Sequence, residues 1–180
     1  MPYRIAKLLI QPLRALFARI APVAYARAIG VSMAGRVRIY GSSLYMFSTE
    51  PYLVSLGDNV FISVGATFVC HDGSTLPFRA RYPQLEVAAP IRVGNNVFIG
   101  MKAMILPGVT IGDNCIIGAS AVVTKDVPSG QIVAGNPARM VKTTEQWLAQ
   151  KQATSLEIGH LYGWEKVRAY KRIFAGEVRR

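Results

Sequence analysis

Between Val93 and Pro128 an aliphatic side chain returns at every sixth residue: Val93, Ile99, Ile105, Ile111, Ile117 and Val123. The fifth place of each hexad is small or β-branched too, filled in turn by Val97, Ala103, Val109, Cys115, Ala121 and Val127. An α-helix repeats every ~3.6 residues and a half-buried strand every two, so neither produces this period. The spacing predicts a chain that turns a corner every six residues and stacks short, near-identical strands, an all-β solenoid. Three hexads to a turn make a triangular prism of parallel strands, with coils about 4.8 Å apart and the first-place aliphatics inside. Gly94, Gly100, Gly112 and Gly118 each follow an inward residue, where backbones must approach closely. Asn95-Asn96 and Asp113-Asn114 supply turn-forming side chains.

The same register starts upstream with hexads at Leu56, Ile62 and Phe68, then disappears until Val93. Leu56 and Val93 are not a multiple of six apart, so a segment between them must leave the prism. The stretch 73–90 has prolines, no hexad pattern and a mixed surface, and reads as a loop extruded from one corner; long ordered loops on rigid scaffolds commonly bind or cover substrates. His71 stands at its root. Histidine can remove and return a proton near neutral pH without a large pKa shift, which makes His71 a candidate general base. Cys70 is its neighbour, but adjacent residues of extended chain point to opposite faces, which argues against a thiol nucleophile working with that imidazole. Asp72 reads equally as a turn former beside Gly73 and as a group that orients the imidazole or binds a substrate.

Outside the hexads the pattern becomes helical. Ile5, Leu8, Leu9, Leu13, Leu16, Phe17 and Ile20 share one side of an N-terminal segment. Thr143 to Gln152 and Gly163 to Ala175 read as two helices, with Trp147, Leu148, Trp164, Val167, Tyr170 and Phe174 at helical spacing, more suited to packing than to stacking on sugars. The organisation expected is an amphipathic helical segment over 1–30, a solenoid domain over 31–142 with 73–90 extruded, and a helical tail over 143–180. A chain of 180 residues with 51% hydrophobic content can bury one full-sized core.

Charge adds a constraint. The formal net charge is +11, and no Asp or Glu occurs before Glu50, whereas Arg4, Lys7, Arg14, Arg19, Arg27, Arg36 and Arg38 do. Such a balance favours anionic partners: nucleotide phosphates, a membrane surface or nucleic acid. Pro12 and the interspersed arginines argue against a spanning helix or a cleaved signal. The N-terminal segment then reads as a cap packed on the first coil or on a neighbouring subunit, or as a basic helix lying on an anionic leaflet, and the two are compatible. Nucleic acid is disfavoured because no stacking aromatics alternate with the basic residues. Two cysteines, with Cys115 at an inward place, imply no disulfide framework.

Val97-Phe98-Ile99-Gly100, Ile105 to Asn114, Val122 to Pro128 and Ala134-Gly135-Asn136-Pro137-Ala138-Arg139 are the sequences on which the chain resembles the hexapeptide-repeat acyltransferases, over about residues 37 to 142. The resemblance implies a left-handed parallel β-helix, an exception to the usual right-handed crossover. His71 to Phe78 is similar to the xenobiotic and polysaccharide acetyltransferase branch, whose catalytic histidine falls on His71. That branch implies transfer of acetyl from acetyl-CoA to a hydroxyl, with His71 as base and no acyl-enzyme. Carried over position by position, Met101 and Ala119 would touch the pantetheine through backbone, Thr124 and Lys125 would sit near the adenosine end, and Arg139 and Lys142 would meet phosphate, as suits an anionic ligand. A homotrimer with sites between subunits follows from the same resemblance, and the location expected is cytoplasmic, with peripheral contact at the inner leaflet open to the basic N-terminus.

Three other functions compete with this one. Zinc-dependent enzymes on this solenoid need three histidines, and this chain has His71 and His160 only, so no metal is expected. A non-catalytic scaffold has no reason to combine His71, the extruded loop and the Gly135 to Arg139 terminus. An antibiotic acceptor fits the Asp72 to Phe78 resemblance, while a sugar hydroxyl of a surface polysaccharide or lipid-linked glycan fits the basic N-terminus and is preferred. Asp72, Tyr45 and Glu50 are candidates for the acceptor side, the last two from the divergent stretch 40–53.

Overall fold

The computed structural model describes residues 2–175, with side chains from Gln11 onward, and divides into two units, Met1–Thr144 and Glu145–Arg180. The first unit opens with α1 (Pro2–Ile20) and α2 (Pro22–Ala28) and then winds. A first coil contributes β1 (Ser32–Met33) and β2 (Val37–Ile39), and a second β3 (Val54–Leu56), β4 (Val60–Ile62) and β5 (Thr67–Phe68). A third follows with β6 (Ile91–Val93), β7 (Phe98–Ile99) and β8 (Met104–Ile105), and a fourth with β9 (Thr110–Ile111), β10 (Ile116–Ile117) and β11 (Val122–Val123). The winding closes with a hairpin, β12 (Gln131–Ala134) and β13 (Arg139–Thr143). Three sheets are visited in rotation, ordered β1-β3-β6-β9, β2-β4-β7-β10-β12-β13 and β5-β8-β11, and every pairing except β12 with β13 is parallel.

The hexad aliphatics form the core. Leu56, Ile62, Phe68, Val93, Ile99, Ile105, Ile111, Ile117 and Val123 are buried, with Ala66, Val97, Ala103, Val109, Cys115 and Ala121 between them. Each fully buried isoleucine contributes roughly 1.5–3 kcal/mol. The corners solve a backbone problem, since a sharp turn needs one residue in the left-handed region. Asn59, Asn96 and Asn114 take it at one corner, with φ of 57°, 55° and 57°, and asparagine tolerates that region better than most residues. Their amides also form a ladder, Asn59 Nδ2 to Asn96 Oδ1 at 2.9 Å and Asn96 Nδ2 to Asn114 Oδ1 at 3.1 Å.

Coil length is uneven, and the unevenness builds the site. Asp58 N–H donates to Asn95 37 residues on, Asn95 N–H to Asp113 18 residues on, and Asp113 N–H to Ser129 16 residues on. The 18-residue coil is the regular one. The last is short: Val127, expected at a fifth place, pairs with the first-place Ile111. The corner at Thr124 to Asp126 has lost two residues, and the Asp126 carboxylate compensates by accepting from the Thr110 N–H at 2.8 Å. The sheet that begins with β5 has no strand below it in the first coil. Met46 and Phe47 fill that gap, both buried, with the Met46 carbonyl accepting from Phe68 N–H at 2.7 Å and the Phe47 and Phe68 rings stacked 5.1 Å apart.

The N-terminal helices cover the first coil. Ala18, Tyr25 and Ala26 are buried, and Ser43, itself buried, donates its N–H to the Ala18 carbonyl at 3.2 Å and its hydroxyl to the Pro22 carbonyl at 2.9 Å. Among the described residues no helix is long and apolar enough to cross a membrane. In the second unit, α3 (Thr144–Ala153) starts on the last residue of the first unit and α4 (Gly163–Ile173) follows. No side chain of either is buried, and Tyr170 stacks on Phe174 with ring centroids 6.4 Å apart.

Gly100 tests the stacking. A Cβ there would stand 2.5 Å from the Ala119 nitrogen and 2.7 Å from the Ile117 oxygen, both backbone. Gly100→Ala therefore lowers stability by about 1–3 kcal/mol in denaturant unfolding, whereas Gly159→Ala, with nothing within 4 Å of the added carbon, leaves it unchanged.

Candidate functional site

Two insertions leave the prism and meet. The first is the long turn between β2 and β3, fixed by Met46 and Phe47; after them Ser48 takes a φ of 54° and turns the chain so that Thr49 and Glu50 come over the root of the second insertion. That second insertion leaves after β5 and is pinned where it starts. His71 and Ala88 form an antiparallel bridge, Ala89 N–H donates to the Cys70 carbonyl at 2.9 Å, and Asp72 N–H to the Val87 carbonyl at 2.8 Å. A 3₁₀ turn, Gly73–Phe78, follows, and Asp72 caps it: its Oδ1 accepts from Ser74 N–H at 2.9 Å. Hydrogen bonds from Ser74 hold the Asp72 carboxyl below its ordinary range, despite a smaller opposing effect of burial. The turn-forming role of Asp72 is therefore occupied, and the imidazole has another partner.

That partner is Glu50, whose Oε2 lies 2.8 Å from His71 Nδ1. Thr49 donates its hydroxyl to Glu50 Oε1 and lies 3.4 Å from the same ring nitrogen. The pair is half-sheltered, with side-chain exposures of 35% for His71 and 22% for Glu50. Burial acts to raise the Glu50 pKa, but the hydrogen bonds from Thr49 and His71 and the attraction of the imidazole outweigh it and hold the carboxyl below its ordinary range. Its stabilising effect is thus present above the unfolded-state value and is lost as pH falls through the lowered folded value. A carboxylate at Nδ1 keeps a proton there and leaves the Nε2 lone pair free to accept one.

His71 and Glu50 open into a cleft of about 450 Å³ lined by Thr49, Tyr52, Leu53, Gly73, Leu76, Arg79, Glu86 and Ala88. Its far wall is the extruded loop, where Arg79 pairs with Glu86 and donates to the Leu85 carbonyl. Tyr45 falls outside the cleft, in a depression shared with Ser42, Leu44, Met46 and Val64 to Thr67. With Met46 and Phe47 turned inward and Ser48 reversing the chain, Tyr45 is separated from Glu50. Sequence reasoning placed Glu50 on the acceptor side and missed its bond to His71, and it missed Thr49, Tyr52, Arg79 and Glu86. The stretch 40–53 carries no hexad register, so the 21 residues between Glu50 and His71 could not be converted into a distance.

Met101 and Ala119 sit at successive levels of one corner, where Ser120 N–H donates to the Met101 carbonyl at 2.8 Å. Met101 is half-exposed. Thr124 and Lys125 lie at the shortened corner after β11, and Arg139 and Lys142 lie on β13. None of these six lines the cleft that holds His71. Among the described residues no group of three His, Cys, Asp or Glu side chains is placed to hold a metal ion. His160 is exposed in the second unit.

Cys70 faces the core, fully buried, and burial together with the Glu50 charge pushes its thiol up to about 11. About one thiol in a thousand is then ionised at pH 8, so iodoacetamide leaves Cys70 unmodified in the folded protein and reacts once denaturant is added. Cys70→Ala is expected to cost about 1 kcal/mol of stability and to leave turnover within twofold; loss of turnover with the fold intact would revive a nucleophilic thiol.

Comparison with known proteins yields a consistent set of relatives. Residues 90–125 match the family described as Bacterial transferase hexapeptide (six repeats). Protein CapG of Staphylococcus aureus is 45% identical over 121 residues, which is 67% of this chain and 70% of CapG. Galactoside O-acetyltransferase of Escherichia coli K12 is 42% identical over 93 residues, 52% of this chain and 45% of that protein, so the chain spans less than half of this relative. Among solved structures, a maltose O-acetyltransferase from Clostridium difficile 630 superposes with a TM-score of 0.55 at 25% identity, covering 75% of this chain and 84% of the other.

Proposed function

The chain belongs to the hexapeptide-repeat acyltransferases, and from that premise we propose that it moves an acetyl group from acetyl-CoA to a sugar hydroxyl, with His71 as general base. The observation that carries this reading is the Glu50 carboxylate at His71 Nδ1, in a cleft open to a ligand. His71 Nε2 takes the proton of the acceptor hydroxyl as its oxygen attacks the thioester carbonyl. Glu50 stabilises the imidazolium that forms and keeps the ring from turning. When the tetrahedral adduct collapses, the carbon–sulfur bond breaks and the imidazolium returns its proton to the leaving thiolate. No covalent enzyme intermediate is required, in keeping with the inert Cys70.

We read the winding as left-handed, as in the family. The co-substrate lies along the corner of Met101 and Ala119, with Thr124 and Lys125 at its adenosine end and Arg139 and Lys142 on its phosphates. Because these six residues lie outside the His71 cleft of one chain, the reading joins them to an imidazole across a seam between subunits, three such seams making a homotrimer. Acetyl-CoA places the reaction in the cytoplasm. The acceptor is read as a glycan unit of a surface polysaccharide: Tyr52, exposed in the cleft, offers a ring face, and the Arg79 and Glu86 pair offers hydrogen bonds to hydroxyls.

The test is incubation with acetyl-CoA and a panel of sugars, lipid-linked sugars, amines and an antibiotic alcohol, with products read by mass spectrometry. O-acetylated sugar is expected, and exclusive transfer to amines or to the antibiotic would reject the acceptor. On the productive acceptor, His71→Ala lowers kcat by about 10²–10⁴-fold with acetyl-CoA affinity by calorimetry within twofold. Glu50→Gln, which keeps the shape but not the charge, lowers kcat by roughly tenfold or more with little change in KM.

A further inference from the structure

We infer that the outward face of α1 is a docking surface for an anionic lipid bilayer. Leu13, Leu16, Phe17 and Ile20 follow the three-and-four spacing of a single helical face and are exposed by 67%, 54%, 43% and 73%. The opposite face is fixed inward: Ala18 is fully buried and its carbonyl accepts from Ser43 N–H. Rotating the ridge toward the core would break that bond and expose Ala18, so the ridge is held facing away from the coil it caps.

Charge selects the occupant. At ~100° per residue, Arg14 and Arg19 fall on either border of the ridge, and both are exposed. Arg14 is held at its border by a 3.0 Å bond from Nη2 to the Tyr25 hydroxyl. No carboxylate occurs in the first 49 residues to neutralise them. A second copy's ridge would bring cations against cations with nothing to pair them. A bilayer with anionic headgroups supplies acyl chains for the apolar strip and negative charge along both borders. Since α1 does not meet the requirement for crossing, it lies in the plane of the interface. This inference is independent of the catalytic reading, because it concerns binding and is measured without turnover.

The experiment is co-sedimentation of the full chain with vesicles of phosphatidylglycerol and phosphatidylcholine against vesicles of phosphatidylcholine alone. Partitioning is expected to be about tenfold stronger on the anionic vesicles and to fall several-fold when salt rises from about 0.1 to 0.5 M. Leu16→Gln with Ile20→Gln lowers it about tenfold while leaving melting temperature and oligomeric mass at wild-type values. Arg19→Gln weakens binding to the anionic vesicles only, and it decides the matter with the salt series if the double variant does not fold. Equal partitioning of wild type and both variants would put the lipid site elsewhere, for instance on the basic α4, and overturn the inference. So would absence of any anionic preference, or a double variant that dissociates the oligomer while the wild type ignores vesicles, which would make the ridge a seam between copies.

Discussion

Backbone hydrogen bonding between coils is the constraint on which everything else in the first unit rests. It sets each residue directly over its counterpart one turn earlier, so that β4, β7 and β10 align Ile62, Ile99 and Ile117 in one column. A chain held this way has little freedom to place a side chain anywhere but in the core or on a flat face. Chemistry must come from departures from the period. There are two long ones, the turn between β2 and β3 and the loop between β5 and β6, and both are anchored by backbone hydrogen bonds: Phe68 N–H to the Met46 carbonyl from one coil to the next, and Ala89 N–H to the Cys70 carbonyl across the root of the loop. The rigid prism therefore fixes the relative position of Glu50 and His71, although neither sits in a regular strand.

That arrangement explains the division between three neighbouring residues. Cys70 turns into an apolar interior, where ionisation is costly. His71 turns out, toward a carboxylate. Asp72 spends its carboxylate on the cap of the following turn, which shapes the wall of the cleft. Glu50, not the adjacent Asp72, meets the imidazole because the bridge from His71 to Ala88 directs the ring across to the other insertion. Thr49 then supplies a hydrogen bond to the other carboxylate oxygen.

Much of this was legible in the residues. Ile99, Ile105, Ile111 and Ile117 announce the prism because a period of six has no other simple physical solution, and the break after Phe68 announces a loop with His71 at its root. The shortened last coil was not legible, since Val127 keeps the hexad spacing in sequence while Asp126 takes over a backbone acceptor in space. Nor was the role of Glu50, because Met46 and Phe47 substitute for a missing strand through packing, which leaves no periodic trace. Tyr45, four residues before Thr49, lies in a different depression for the same reason. Periodicity reports the parts of a chain that repeat, and the cleft is built from those that do not.

The central claim is that Glu50 fixes the His71 proton on Nδ1 and leaves Nε2 bare as the accepting nitrogen. Nitrogen-15 NMR of the ring nitrogens, with His160→Gln to remove the other histidine, reads this directly in the neutral state. The account predicts a neutral imidazole protonated at Nδ1 in the wild type and a loss of that preference in Glu50→Gln. A wild-type ring carrying its proton on Nε2 would contradict it.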